Sequence, residues 1–454
     1  MGDMMKKSKY NFFYEIEDGI LAYNAKTNAM AVVEKEKIEE LKKILAGELS
    51  EDKKFVDELM YGGFIVKDYI NELEEIRHDM YANRFSNNAL SLTIAPTSDC
   101  NFRCPYCYEK DVLHMQRMTD ETADKIIEFV KHKAAGIEAL NVTWYGGEPL
   151  LEYQRILDLS KKFLDICKEY KIGYNAGIVT NGYLLTEERL KHLIEYKVST
   201  IQITLDGTKE IHDNRRYLKN HGGTFDKIIS NLLSFETMAE EIENFPAINI
   251  RMNLDRTNEK DAYKLLDYID SLPLRKYVVP YVAGVYDADD KEHLYTLTNS
   301  EYVAIKNEFI NKFEQKGFHV DYQAFYPQKI TSCCCCDRID SFVVDAHGKL
   351  YKCWEEIGVE EACIGEIGSE ENYNMPQCYY DYMLYDPTLD ESCKKCEILP
   401  VCMGGGCPIR RRKEERKNCI YEKDLFNKNI EKSAEKLGKR VGRRIGPMSR
   451  FSTS

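Results

Sequence analysis

Residues 90–107 read LSLTIAPTSDCNFRCPYC, and the interpretation of the whole chain starts from them. The run LSLTIAP at 90–96 has the apolar composition of a buried strand. Three cysteines follow it at C-x3-C-x2-C spacing: Cys100, Cys104 and Cys107. In proteins built on parallel strands, ligands bind at the carboxyl ends of the strands. The stretch therefore predicts three thiols in a strand-to-helix loop at the ligand-binding edge of a sheet.

Strand-like and helical patterns alternate through the middle of the chain. Apolar, strand-like runs lie at 90–96, 140–145, 174–180, 199–206, 248–253 and 278–283. Helical periods lie at 119–134, 152–169, 186–196, 224–240, 258–270 and 300–316. Strands that are apolar on both sides and alternate with helices predict an α/β fold with a parallel sheet. Six such units favour a partial (β/α)6 barrel, and a doubly wound open sheet is the competing arrangement.

The three cysteines of the first set point to a metal centre. Three thiolates can hold three corners of a [4Fe–4S] cluster and leave one iron open for catalysis. A zinc knuckle with an unseen fourth ligand is the structural alternative. The chain has 16 cysteines, and twelve of them lie between 333 and 419. A reducing cytosol disfavours structural disulfides, so clustered cysteines there indicate metal or redox chemistry, whereas a secreted disulfide framework is the other interpretation.

The motif CNFRCPYC, with Tyr106 before its last cysteine, resembles the signature of the radical SAM superfamily. The next predicted strand ends in WYGGEPL, which is similar to that family's GGE motif at Gly146, Gly147 and Glu148. By this resemblance the three cysteines are catalytic and hold a [4Fe–4S] cluster that binds S-adenosyl-L-methionine.

The resemblance further implies that one electron cleaves the sulfonium of this cofactor and yields a 5′-deoxyadenosyl radical. Tyr106 is expected near the adenine, and the GGE residues near the methionyl group. Four more residues match positions where related enzymes hold the cofactor's carboxylate and ribose, namely Asn181, Thr204, Asp206 and Arg216. The competing interpretation of these four is structural, as strand ends or a surface ion pair.

A second set of cysteines follows the predicted barrel. Cys336 and Gly348 are separated by eleven residues, and Gly348 and Cys353 by four. A later run has C-x2-C-x5-C-x4-C spacing and a final cysteine, given by Cys393, Cys396, Cys402, Cys407 and Cys419. The pattern resembles the SPASM domain of peptide-modifying radical SAM enzymes, although CMGGGC has four intervening residues where that family usually has three. A zinc ribbon is the structural alternative.

The SPASM resemblance implies two auxiliary [4Fe–4S] clusters, and thus three clusters in all. One would be held by Cys393, Cys396, Cys402 and Cys419. The other would be held by Cys353 and Cys407 with one or two thiolates of the 333–336 tetrad, for which Cys333 and Cys336 are the candidates. Cys363 is a possible further ligand.

Composition and charge limit which cellular locations and which partners are expected for the protein. The net charge of −13 argues against a nucleic-acid partner. No apolar run reaches the length of a membrane span, and the first residues lack the apolar core of a secretory signal, so a cytoplasmic protein without a membrane partner is expected. Residues 408–454 hold 15 Lys or Arg and 6 Asp or Glu, a basic tail on an acidic chain.

Four domains are predicted from these patterns. Residues 1–88 contain a predicted hairpin followed by helices and form a winged-helix-like module that resembles leader-peptide recognition elements. Residues 89–316 form the radical SAM partial barrel, residues 317–425 the SPASM domain, and residues 426–454 the basic tail.

The resemblance implies a maturase of a ribosomally made precursor peptide with a leader. The expected product is a thioether between a cysteine sulfur and a carbon of another residue, with a flavodoxin or ferredoxin-type electron donor. Alternatives are a carbon–carbon crosslink, formylglycine-type sulfatase maturation, or a non-catalytic Fe–S or zinc protein. Sulfatase maturases place an acidic base directly after the cysteine of G-x4-C, and this chain has Trp354 there.

Overall fold

The computed structural model describes residues 4–110, 115–285, 295–318, 326–332, 334–368, 375–405, 423–440 and 449–450, to which the structural statements below apply. The chain divides into two compact units. The larger unit comprises Ser86–His319 and Arg338–Met383, and the smaller unit comprises Met1–Phe85, Val320–Asp337 and Leu384–Ser454.

A nine-stranded sheet organises the larger unit. Its strands are β6 (Ala89–Ile94), β7 (Ala139–Trp144), β8 (Gly173–Thr180), β9 (Val198–Thr204), β10 (Ala247–Leu254), β11 (Val278–Gly284), β12 (Ser341–Val344), β13 (Lys349–Tyr351) and β14 (Gly365–Glu366). The spatial order is β11-β10-β9-β8-β7-β6-β12-β13-β14, and all pairs from β11 to β12 are parallel. The six predicted strands therefore form the predicted partial barrel, and its edge strands β11 and β14 do not pair with each other.

Helices connect the parallel strands, as the alternating pattern predicted. The larger unit contains α4 (Asp120–Ala134), α5 (Tyr153–Tyr170), α6 (Glu187–Glu195), α7 (Lys209–Arg215), α8 (Phe225–Leu233), α9 (Glu236–Glu241), α10 (Asp261–Asp270), α11 (Asn299–Gln315) and α12 (Gln377–Met383). The single helix expected over 224–240 is divided into α8 and α9. Several helices begin at a threonine whose hydroxyl accepts a backbone N–H, for example Thr119 at α4 and Thr186 at α6.

The two faces of the parallel strands differ, contrary to the expectation of strands that are apolar on both sides. In β7 the side chains of Leu140, Val142 and Trp144 are buried, while Asn141 and Thr143 between them are half-buried. Strands β6 and β10 show the same alternation. The apolar face supplies the core, and the more polar face is left for a cavity.

The smaller unit is built on an antiparallel sheet of order β15-β2-β3-β4 and a two-stranded β1-β5 pair. Its strands are β1 (Met5–Lys7), β2 (Asn11–Ile16), β3 (Gly19–Asn24), β4 (Met30–Glu34), β5 (Ile65–Lys67) and β15 (Ser449–Arg450). Its helices are α1 (Ile38–Leu45), α2 (Lys53–Tyr61), α3 (Glu72–Arg84), α13 (Leu399–Cys402) and α14 (Lys423–Arg440). The hairpin and the helices predicted for the N-terminal module are present.

One buried core joins distant parts of the sequence in the smaller unit. Phe12 and Tyr23 of the N-terminal sheet pack with Leu399 of α13 and with Phe426 of α14. The rings of Phe12 and Phe426 lie 4.6 Å apart between centroids. The N-terminal sheet and the cysteines Cys393, Cys396 and Cys402 are therefore parts of one folded unit. The domain boundaries inferred from sequence stay predictions.

Among the described residues, no helix is both long and apolar enough to cross a membrane.

Candidate active site

The loop after β6 carries the first cysteine set. The backbone N–H of Phe102 lies 3.4 Å from the Cys100 sulfur and points toward it, and the N–H of Cys107 donates to the carbonyl of Cys104 over 3.1 Å. The loop is thus wound back on itself, so that the thiols are close enough to raise one another's pKa. The structure brings Cys100, Cys104 and Cys107 together as predicted from their spacing.

The electrostatics of this loop suit a cationic metal centre. Burial raises the pKa of all three thiols, that of Cys107 to about 12. A buried thiolate is destabilised unless a positive charge lies beside it, and the irons of a cluster supply that charge. Arg216 acts in the same direction, since its guanidinium lowers the pKa of Cys104 against the effect of burial. The residues present fit a cluster held by three cysteines.

Two glycines allow the next strand end to lie against the cysteine loop. Gly146 has φ +103°, and a Cβ on it would come within 2.6 Å of the Thr97 carbonyl oxygen. A Cβ on Gly147 would lie 2.2 Å from the Asp99 carbonyl oxygen. Both distances are too short for any side chain. These glycines, predicted from the GGE motif to approach the cofactor, approach the backbone that positions Cys100.

Glu148 is fully buried and joins the ends of β7 and β8. Its carboxylate accepts hydrogen bonds from Leu150 N at 3.1 Å, Thr180 Oγ1 at 2.7 Å and Asn181 N at 2.8 Å. Its own N–H donates to the Asp99 carbonyl over 2.9 Å. Burial raises the pKa of Glu148, and the three hydrogen bonds oppose that change. Its predicted contact with the cofactor stays a prediction, whereas its role in positioning neighbouring backbone is evident.

Tyr106 is held by charged side chains from the end of β9 and from the end of α7. Its hydroxyl donates to the carboxylate of Asp206 and accepts from Arg216 Nη1 at 2.7 Å. The guanidinium of Arg215 lies 4.9 Å from the ring centroid and pairs with Asp255 at 2.7 Å. Burial and neighbouring acidic groups, opposed by Arg216, raise the pKa of Tyr106, so it stays a neutral phenol.

The remaining predicted cofactor residues lie close by. Asn181 donates to Asn101 Oδ1 at 2.7 Å, and its amide nitrogen is 4.0 Å from the Cys100 sulfur. Thr204 and Arg216 lie on the wall of the cavity beside this loop, while Asp206 lies behind Tyr106. All predicted residues of the first set are therefore near the cysteine loop, and their individual contacts with a cofactor stay predictions.

A cavity of about 260 Å³ lies over the cysteine loop within the larger unit. Its wall includes Cys100, Cys104, Cys107, Tyr106, Gly146, Gly147, Asn181, Gln202, Thr204, Arg216, Arg251, Asn253, Tyr108, Glu109, Tyr145, Trp354 and Glu355. Three strand residues on this wall, Gln202, Arg251 and Asn253, were missed by the sequence analysis. They occupy the polar positions of alternating strands such as INIRMN, and that alternation was the available signal.

Aromatic and acidic residues form another part of the wall. Tyr145 and Trp354 stack with centroids 5.1 Å apart and planes 16° from parallel, and the hydroxyls of Tyr108 and Tyr145 are hydrogen-bonded. Burial raises the pKa of Glu109 to about 7, and its Oε1 is buried without a hydrogen-bond partner in the described part of the chain. Trp354 lies on the cavity wall together with Glu355. It occupies the position where sulfatase maturases have an acidic residue.

The second cysteine set is only partly described. Cys393, Cys396 and Cys402 belong to the smaller unit, where the N–H of Cys396 donates to the Cys393 carbonyl over 2.9 Å. Cys336 and Cys353 are buried and belong to different units. Cys333, Cys407 and Cys419, and most of the basic tail, lie outside the described residues.

In the tetrad, hydrogen bonds from Cys335 and Cys336 lower the pKa of Cys334 to about 3. Within the described ranges, no three His, Cys, Asp or Glu side chains are arranged to hold a single metal ion. The assignment of the auxiliary ligands stays a prediction.

Comparison with known proteins places this geometry in a family. Residues 94–269 match the model of the radical SAM superfamily. The cysteine-type anaerobic sulfatase-maturating enzyme of Clostridium novyi (strain NT) is 27% identical over 376 residues, 76% of this chain and 96% of that protein.

Two solved proteins share the fold. The structure of native anSMEcpe with bound AdoMet has a TM-score of 0.57 at 20% identity and covers 78% of this chain and 98% of its own. The structure of Streptococcus suis SuiB has a TM-score of 0.51 at 15% identity, and the match covers 92% of this chain and 98% of SuiB. Residues 94–269 therefore form a radical SAM domain. Relatives that share this domain are enzymes, and the family implies S-adenosylmethionine and a [4Fe–4S] cluster.

Substitution of Gly147 by alanine tests the close approach of the two loops. We expect Gly147→Ala to displace the backbone at Asp99, and the reconstituted variant to hold less iron than the native protein because the cluster at Cys100 is lost. Gly136→Ala is the matched control, because a Cβ there would have its nearest contact at 3.8 Å. Iron analysis after anaerobic reconstitution is the measurement, and equal iron in both variants would contradict the steric argument.

The buried, neutral His212 is expected to make the protein less stable in mild acid. Its Nδ1 accepts from Asp206 N at 3.3 Å, and burial, with Arg216 and Arg215, lowers its pKa well below 6.5. The unfolded chain takes up a proton below about pH 6.5 while the folded chain does not, so stability falls there by up to about 1.4 kcal/mol per pH unit. Thermal unfolding between pH 7.5 and 5.5 should show this loss in the native protein and a smaller one in His212→Asn. Parallel curves for the two proteins would exclude His212 as the cause.

Proposed function

We propose that this enzyme matures a ribosomally made precursor peptide by forming a thioether between a cysteine sulfur and a carbon of another residue. The observation that supports this proposal best is the placement of the Cys100 loop on the wall of a cavity whose wall also carries Trp354 and Glu355. Those two residues directly follow Cys353, a proposed ligand of an auxiliary cluster. A substrate thiol in the cavity would therefore lie beside both kinds of centre.

The proposed enzyme holds three [4Fe–4S] clusters. Cys100, Cys104 and Cys107 hold the first, Cys393, Cys396, Cys402 and Cys419 the second, and Cys353 and Cys407 with Cys333 or Cys336 the third. When bound, S-adenosylmethionine and its cluster supply a hydrogen-abstracting radical, and the auxiliary clusters supply a thiolate site and an electron acceptor. A flavodoxin or ferredoxin-type protein is the proposed electron donor.

The side chains of the cavity have separable tasks. Asp206 and Arg216 fix the ring of Tyr106 through its hydroxyl, and a fixed ring orients whatever lies against it. The Tyr145–Trp354 stack shields its side of the cavity from water. Glu109 and Glu355 place carboxyl groups on the wall, where one of them can accept the proton of a substrate thiol.

A peptide substrate is supported by the relatives and by a free sheet edge. SuiB has been solved bound to precursor peptide SuiA, and it shares this fold. In the smaller unit, β4 pairs only with β3 among the described strands, and its residues are exposed or half-buried except for the buried Val33. Such an edge can receive an extended leader segment as an added strand.

Maturation of a sulfatase cysteine to formylglycine is the second candidate. It is favoured by the similarity to the Clostridium novyi enzyme, which extends over 96% of that protein. Trp354 stands where the family resemblance expects the acidic base, yet the adjacent Glu355 lies on the cavity wall. A carboxylate is thus present for either reaction.

Mass analysis of a cysteine-containing peptide separates the two reactions. We expect anaerobic turnover with S-adenosylmethionine and dithionite to remove two hydrogens from the peptide and to keep its sulfur, with 5′-deoxyadenosine as co-product. The product should also resist thiol alkylation. Replacement of the sulfur by oxygen would establish the formylglycine reaction instead.

The matched control replaces Cys100, Cys104 and Cys107 together by alanine. This variant should lose about a third of its iron and all cofactor cleavage, because only the first cluster is removed. Formation of 5′-deoxyadenosine by the variant would mean that the catalytic cluster lies elsewhere.

Hydrogen exchange tests the recognition edge. We expect a bound precursor peptide to slow amide exchange in residues 30–34 of β4, since an added strand would accept the N–H groups that point away from β3. The interior strand β3, already paired on both sides, should change little. Unchanged exchange at 30–34 under saturating peptide would exclude β4 as the docking edge.

A further inference from the structure

Arg251 places a positive charge on the wall of the cavity. It belongs to β10, on the face of that strand whose residues are half-buried, and it lines the cavity over the cysteine loop. Its Nε donates to Asn253 Oδ1 at 2.7 Å. Among the described residues, no carboxylate forms an ion pair with its guanidinium. An arginine side chain keeps its charge in a protein, so the charge of Arg251 has no counter-charge there.

The strands on either side of β10 surround Arg251 with neutral groups. Strand register places Thr204 of β9 and Tyr281 of β11 directly beside it. Burial raises the pKa of Tyr281 and of Tyr302, and Arg251 opposes that effect at both. Burial raises the pKa of Tyr145 as well, and Arg251 is among the groups that oppose it. Hydroxyl groups can accept hydrogen bonds from a guanidinium, but they do not balance its charge.

The carboxylates on the cavity wall do not serve as the partner. Glu109 and Glu355 both line the cavity, yet neither forms an ion pair with Arg251 in the described part of the chain. Glu109 Oε1 is buried without a hydrogen-bond partner there, so it is not bonded to the guanidinium. A charge withdrawn from water without an opposite charge is costly, and this arrangement is typical of a site that awaits an anionic ligand.

The other guanidinium of the described wall is engaged at the cysteine loop. Arg216 Nη1 donates to the Tyr106 hydroxyl over 2.7 Å. Burial raises the pKa of Cys104, and Arg216 opposes that effect. Arg216 is therefore the cation placed to act on the first cysteine set, whereas Arg251 acts at the part of the wall that carries Tyr145.

We propose that Arg251 binds a carboxylate of the substrate peptide and so selects peptides that carry one near the reacting cysteine. That the substrate is a peptide rests on the proposed function, and Arg251 adds which peptides are accepted. A planar guanidinium can donate two parallel hydrogen bonds to a carboxylate, which fixes the orientation of the bound group as well as its position. The carboxylate belongs either to an acidic side chain or to the C-terminus of the peptide.

Binding of matched peptides to the full-length, anaerobically reconstituted protein tests this inference. The probes are short peptides with one cysteine, one glutamate at varied distances from it, and a C-terminal amide. A twin of each peptide has glutamine in place of glutamate, and a third series has glutamine with a free C-terminal carboxylate. The pool is dialysed to equilibrium against the protein with S-adenosylmethionine and no reductant, and mass spectrometry quantifies the retained peptides.

We expect the native protein to retain at least one carboxylate peptide about tenfold more than its glutamine twin with a C-terminal amide, because the twin lacks the charged acceptor. Arg251→Gln should remove this preference, and Arg251→Lys, which keeps the charge without the planar fork, should keep part of it. Arg256→Gln is the matched control and should keep the full preference, since Arg256 is exposed and pairs with Glu301 at 2.7 Å. A preference within the glutamate series identifies a side chain, and one within the third series identifies the C-terminus.

Three results would overturn the inference. Equal retention of carboxylate and glutamine peptides by the native protein would do so without any variant. A preference that survives in Arg251→Gln would place the carboxylate site elsewhere. Weaker retention of S-adenosylmethionine by Arg251→Gln in the absence of peptide would mean that Arg251 holds the carboxylate of the cofactor instead.

Turnover of the same peptides after addition of dithionite separates this inference from the function on which it rests. Thioether formation without a carboxylate preference would overturn the role of Arg251 alone. A preference that depends on Arg251, together with replacement of the sulfur by oxygen in the product, would keep that role and overturn the thioether reaction.

Discussion

The close approach of Gly147 to the Asp99 carbonyl is the constraint on which the site depends. Backbone from two neighbouring strand ends meets there at a distance that excludes any Cβ. The contact is completed by the hydrogen bond from Glu148 N to the same carbonyl. The adjacent Cys100 is therefore fixed to the scaffold of β7, and a metal centre held by its loop is fixed with it.

A second layer of interactions extends from that contact across the sheet. Buried Glu148 orders Thr180 and Asn181 at the end of β8, and Asp206 orders Tyr106 at the end of β9. These carboxylates lie behind the cavity wall and their hydrogen bonds are made inside the protein. Buried charges are retained only where such partners exist, which explains why short hydrogen-bonding side chains gather at these strand ends.

In the proposed function, the smaller unit carries both the peptide-recognition edge and cysteines of an auxiliary cluster. Among the described strands, β4 is an edge of the N-terminal sheet, and the buried core of the same unit packs against Cys393 and Cys396. Removal of the N-terminal sheet would expose that core, so point substitutions and exchange measurements suit this protein better than truncation.

Local sequence signals determined the alternation of parallel strands and helices, the cysteine loop and the glycines of the GGE motif, while the strand order of the structure separated the partial barrel from a doubly wound sheet. They did so because strand alternation, helical period and ligand spacing are properties of neighbouring residues. Only the tertiary structure decided that Glu148 serves the backbone of β8, that Gln202 and Arg251 line the cavity, and that the core of the N-terminal sheet packs against Cys393 and Cys396. Those relations join residues 30 to nearly 400 positions apart, and no local pattern records which distant side chains the packing of strands and helices brings together.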